Sequence, residues 1–91
     1  MYELNYTQDV EATLFKANKV SPSVFERVQE LQNNPRARAV PTNISAFGEY
    51  YIRANRYSLL INIEDDNNIV EIKDCILHTK LHKMLNERVV K

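Results

Sequence analysis

The chain has 91 residues, with one glycine, one cysteine, three prolines and no tryptophan. With only Cys75 present, an intrachain disulfide and a multi-cysteine zinc site are both excluded. Such cysteine use fits a reducing compartment, and the cytoplasm is the expected location. A lone glycine excludes a glycine-rich phosphate loop. Together with so few prolines it also argues against collagen-like and low-complexity chains. No apolar run approaches the roughly 20 residues that cross a bilayer, so no membrane span is expected. Met1-Tyr2-Glu3-Leu4-Asn5 lacks a basic stretch followed by an apolar one, so no secretory signal is expected.

An excess of charge of one sign is also missing. Twelve basic residues balance twelve acidic ones, and the sequence pI is about 6.7. This counts against a general nucleic-acid binder, whose affinity rests on many phosphate contacts. The charges are nevertheless segregated. Residues 1–34 carry net −2, residues 35–63 net +3, residues 64–74 net −4 and residues 75–91 net +3. If the acidic stretch is a turn, the two positive blocks can meet in space; otherwise they belong to a mixed, solvated surface.

What is present reads as one small α+β domain over residues 1–91. Apolar residues make up 44% of the chain. A core of this size is marginal on its own, and a bound partner would help to complete it. Tyr2-Glu3-Leu4-Asn5-Tyr6 alternates with period two, as a short strand does. Val10, Leu14 and Ala17 recur at helical spacing after a capping Thr7 or Asp9, which predicts a helix over Gln8–Asn18. A second helix is expected from Ser21-Pro22-Ser23. Either Ser21 caps it with Pro22 at the first position, or Ser23 and Glu26 form a capping box. Asn33-Asn34-Pro35 ends it.

Residues 35–48 read as a polar connection. Three strands follow: Tyr50–Arg53, the run from Tyr57 to Ile63, and Ile69–Lys73 after the turn Asp65-Asp66-Asn67-Asn68. Leu77, Leu81, Leu85 and Val89 suggest a final helix. The order β-α-α-β-β-β-α predicts a two-layer domain. It has an antiparallel sheet of about four strands, a helical hairpin on one face and a C-terminal helix. The first strand joins the sheet from far away in sequence.

This order, with several local phrases, resembles the RelE/ParE superfamily of toxins over nearly the whole chain. The resemblance rests on Leu31-Gln32-Asn33-Asn34-Pro35-Arg36, on Gly48-Glu49-Tyr50-Tyr51-Ile52-Arg53, on Tyr57-Ser58-Leu59-Leu60-Ile61-Asn62-Ile63-Glu64-Asp65 and on the return strand Ile69 to Lys73. It implies the toxin of a type II toxin–antitoxin module, an endoribonuclease (mRNA interferase) that stops translation by cutting mRNA on the ribosome. The implied partners are a cognate antitoxin, the ribosome and mRNA, with no cofactor. The sequence also departs from the family. Ser58 follows Tyr57 where ribonuclease members carry an arginine, and His78 lies near a second arginine position. A non-catalytic, ParE-like inhibitor of DNA gyrase, or a decayed homologue that still binds an antitoxin, is the alternative. A third reading is a small structural domain that shares only the fold.

Arg53 is the best-matched residue, on a strand whose basic residues contact RNA phosphate in the family. A guanidinium suits that task because its planar fork binds phosphate bidentately and keeps its charge. The alternative is a surface arginine paired with Glu49 or with an acidic turn residue. Arg56 reaches the same cleft from the turn or is simply exposed. His78 and His82 are four apart and share a helix face. They are candidates to move protons at the ribose 2′-oxygen or the leaving 5′-oxygen. As a zinc pair they lack a third ligand, and as surface residues they lie among Lys80 and Lys83. Lys80, Lys83 and Arg88 make a basic C-terminal segment that can touch an RNA backbone or merely favour the helix C-terminus. Tyr50, Tyr51 and Tyr57 are candidates for stacking on bases or for packing. Tyr51 projects from the same strand face as Arg53. Cys75 reads as a small buried apolar group.

Overall fold

The computed structural model describes residues 1–44 and 47–89. The elements run β1 (Glu3–Asn5), α1 (Gln8–Val20), α2 (Ser23–Asn33), β2 (Val40–Pro41), β3 (Tyr50–Ala54), β4 (Tyr57–Glu64), β5 (Ile69–Leu77) and α3 (His78–Val89). The sheet has five strands in the order β1-β5-β4-β3-β2. Every pairing is antiparallel except that of β1 with β5, which is parallel. The expected α+β class and element order hold, with one strand more than the sequence suggested. No helix among the described residues is long and apolar enough to cross a membrane.

Thr7 caps α1 as expected, its hydroxyl accepting from the Val10 N–H. The start of α2 differs from expectation. Neither Ser21 nor Ser23 caps it, and both hydroxyls are buried without a partner. Asn18 does the work from the end of α1 instead, its Oδ1 accepting from the Phe25 N–H at 3.1 Å. The hairpin is so tight that the preceding helix supplies the acceptor a local serine usually provides. Helix α1 therefore continues to Val20, two residues past the expected end.

The core lies between the helical hairpin and one face of the sheet. Val10, Leu14 and Ala17 of α1 and Val24 and Leu31 of α2 pack against Ile52, Ala54, Leu59, Ile61, Ile63, Val70, Ile72 and Cys75. Strand β4 is central and shows the alternation read from its sequence, with Leu59, Ile61 and Ile63 inward. Strand β5 is longer than expected. Its pairing passes from Leu60–Asp74 directly to Ile61–Ile72, so Lys73 has no partner. This bulge resets the pleat, and Cys75 and Ile72 face the core although they are three apart. Burial pushes the Cys75 thiol up to about 12, and the nearby Asp74 adds to the shift. It is an inert apolar group rather than a nucleophile.

Gly48 has φ of +102°, and a Cβ there would stand 3.0 Å from the Ile61 carbonyl oxygen. The single glycine thus lets the chain pass close over β4 as it enters β3. The short edge strand β2 contains Pro41, which occurs in sheets mainly at edges.

An ion pair ties three distant segments together. Both guanidinium nitrogens of Arg36 reach Asp65, at 2.9 and 2.8 Å, and the Tyr2 hydroxyl donates to Asp65 Oδ1 at 2.9 Å. The hydrogen bonds from Arg36 and then from Tyr2 hold the Asp65 carboxyl below its ordinary range. Its contribution is therefore full at neutral pH and is lost as pH falls through the depressed value. Asp65→Asn is expected to lower the thermal midpoint at neutral pH. The gap to wild type should close in acid, checked by thermal melts across a pH series. A constant gap would show that charge is not what the pair contributes.

Candidate functional site

Strand β3 directs Tyr50, Ile52 and Ala54 to the core and Tyr51 and Arg53 to the opposite face. Tyr50 and Tyr57 pack partly buried against the core, so of the three strand tyrosines only Tyr51 shares the face of Arg53. Arg53 stands directly opposite Ser58 on β4, and Ser58 stands opposite Ile76 on β5. Strand β5 ends at Leu77, beside Tyr57, and α3 begins at the next residue.

Two bonds fix this junction. The His78 backbone N–H donates to the Arg56 carbonyl in the β3–β4 turn at 2.8 Å. Nδ1 of the His78 ring lies 2.8 Å from the Ser58 hydroxyl. That two-residue turn carries Asn55 at a φ of 59°, a left-handed conformation asparagine tolerates. The Tyr51 ring lies 5.9 Å from the His78 ring, and the His82 ring lies 6.0 Å from it. Tyr51, Arg53, His78 and His82 thus gather on one face of the sheet. Leu60 and Leu81 are buried on this side too, outside the main core, where α3 crosses β4 and β5.

Arg53 is exposed, and its Nε donates to the Asn55 carbonyl at 2.8 Å. It pairs with no acid among the described residues, and the suggested partner Glu49 instead accepts from the Ile63 N–H. Asp74, opposite Leu60 on the same face, keeps its charge and accepts from the Cys75 N–H. His78 titrates below its ordinary value because burial disfavours its charge, helped by the positive Arg53 and then by His82. All three causes favour the uncharged imidazole.

Other expected residues lie outside the cluster. Arg56 is exposed in the turn and enters the arrangement through its carbonyl. Lys80 and Lys83 are exposed on α3. At about 100° per residue they face some 140–200° round the helix from His78. The side chains of Arg88 and Val89 lie outside the described residues. No group of three or more His, Cys, Asp or Glu among the described residues is placed to hold a metal ion. A separate groove of about 350 Å³ on the hairpin side is lined by Arg27, Glu30, Leu31, Arg38 and Ile52. There Glu30 engages Arg27 at 3.2 Å and Arg38 at 3.3 Å, which leaves one positive charge in excess.

Ser58 is the residue that sequence reasoning missed. On the sequence it stands out only as a position without the arginine that the resemblance implies. The signal is a small hydroxyl next to the apolar run Leu59-Leu60-Ile61, which needs a polar partner once buried.

No protein-family model matches the chain, and no curated protein matches it. Among solved structures, it is similar to a chain of the toxin–antitoxin complex RelBE2 from Mycobacterium tuberculosis. The TM-score is 0.69 at 23% sequence identity, covering 85% of this chain and 98% of that one. The likeness is one of fold.

Proposed function

We propose that the protein is the toxin of a type II toxin–antitoxin module and stops translation by cutting ribosome-bound mRNA. The observation that carries this reading is the gathering of Arg53, Tyr51, His78 and His82 on one face with no acid paired to them. The fold shared with a chain of the RelBE2 complex, whose description names a toxin–antitoxin assembly, supports it.

The chemistry follows from the groups present. The 2′-hydroxyl attacks phosphorus, an O2′–P bond forms and the P–O5′ bond breaks, leaving a 2′,3′-cyclic phosphate and a 5′-hydroxyl. Arg53 neutralises charge on the equatorial oxygens as the phosphorane develops. An imidazole removes the 2′-hydroxyl proton. Tyr51 gives a neighbouring base an aromatic surface to stack on. A single-strand substrate suits this site, because a flexible backbone can bring its phosphate to a fixed guanidinium. Exposed Phe15 and Val20 on α1 offer apolar surface to the expected antitoxin.

The test is induced expression of wild type beside Arg53→Ala, scoring growth, mRNA breaks on ribosomes and DNA damage. Arrest with codon-positioned mRNA breaks is expected, relieved by Arg53→Ala and by co-expression of a cognate antitoxin. Arrest with DNA damage and intact mRNA would favour gyrase inhibition. Ser58, at a position where ribonuclease members of the resembled family carry arginine, favours that second reading.

A further inference from the structure

The Ser58 hydroxyl is fully buried. Among the described residues its one hydrogen-bond partner is His78 Nδ1, at 2.8 Å. A buried O–H without an acceptor is costly, whereas an unused lone pair on oxygen is tolerated better. Neutral His78 satisfies that O–H only if Nδ1 is bare, and the ring proton then sits on Nε2. The charged and titratable groups facing the ring are Arg53 and Tyr51 from β3 and His82 from α3. None of them draws a second proton onto the ring. The sheet therefore offers a neutral imidazole with an N–H to spare.

We propose that Ser58 is a positioning residue that fixes His78 as the Nε2–H tautomer. His78 then donates a hydrogen bond to a nonbridging phosphate oxygen beside Arg53, while His82 carries the 2′-hydroxyl proton. This rests on the ribonuclease reading and divides the work of its two histidines. As O2′–P forms and P–O5′ breaks, the 2′-hydroxyl proton passes to His82. The P–O5′ electron pair leaves on the 5′-oxygen, which takes a proton from water. His82 returns its proton to solvent, and His78 keeps its own throughout.

Glutamine tests the division, because its amide N–H stands near the place of Nε2–H but transfers no proton. With purified protein on programmed ribosomes, His78→Gln is expected to keep cleavage within about 10-fold of wild type. His82→Gln should lose roughly 10²–10⁴-fold, along with the acid limb of the pH–rate profile. Ser58→Ala should slow cleavage in wild type and do nothing further in His78→Gln. A loss of 100-fold or more in His78→Gln with the acid limb gone would overturn the proposal.

Imidazole ¹⁵N NMR of the free protein checks the tautomer independently of cleavage. His78 should be held as Nε2–H in wild type, with that preference weakened in Ser58→Ala. An Nδ1–H tautomer in wild type overturns the proposal even where RNA is cut. If wild type leaves RNA intact while the tautomer is as expected, the ribonuclease reading fails and the division of labour falls with it.

Discussion

Replacing Arg53 by alanine is expected to slow mRNA cleavage by about 10²–10³-fold, the usual cost of losing one charge contact made in the transition state. That corresponds to about 2.7–4 kcal/mol of barrier. Folding should be nearly untouched, because the side chain is exposed and its only hydrogen bond among the described residues is to the Asn55 carbonyl in its own turn. The two effects separate cleanly, with cleavage measured on programmed ribosomes and stability by thermal melt. Arg53→Lys should recover only part of the rate, since an ammonium keeps the charge but not the bidentate fork. The Arg53 charge also helps keep His78 neutral, so its removal should let the His78 pKa rise. Unchanged cleavage in Arg53→Ala would remove this residue from the site.

Much of this arrangement was legible in the sequence, for identifiable reasons. Strand β4 has one face packed on the helical hairpin, so Leu59, Ile61 and Ile63 had to alternate with Ser58, Leu60 and Asn62. The Thr7 cap is a local side-chain-to-backbone bond, and the Asp65–Asn68 turn is closed by the Asn68 N–H on the Asp65 carbonyl with Asn68 at positive φ; short sequence windows contain both signals. The face shared by Tyr51 and Arg53 follows from the pleat alone. His78 and His82 had only to fall on one helix for their rings to meet.

What the sequence hid depends on neighbours far along the chain. The two-residue strand β2 is too short to carry a period, and it exists because β3 offers it an edge. The bulge at Lys73 breaks the alternation of β5, so the strand read as ended where it only changed phase. The missing serine caps on α2 are explained by Asn18, five residues upstream of the helix start. The partner of Ser58 was illegible for the same reason. It is 20 residues away, and the contact exists only because β5 returns to the β3–β4 turn before α3 starts.

That return also makes the position of α3 a point of weakness. Leu81 is fully buried, while Met84 and Leu85 are only half-buried and the remaining described side chains from Thr79 to Glu87 are exposed. A 12-residue helix is marginal in water without packing. Leu81→Ala is therefore expected to cost roughly 2–5 kcal/mol, concentrated in α3 because Leu81 lies outside the main core cluster. Amide exchange should speed up along α3 well before it does in β4. His78 stays tied at the junction by the Arg56 carbonyl and Ser58. His82, one turn further on, has no such tether among the described residues and loses its place opposite the His78 ring. Cleavage should fall by about 10-fold or more even where the sheet remains intact, as misplacing a proton-transfer group does. It should recover on cooling if the helix re-docks. Equal exchange rates in α3 and β4 of Leu81→Ala, with a single cooperative melt, would mean that α3 belongs to the main core and holds His82 by contacts other than Leu81.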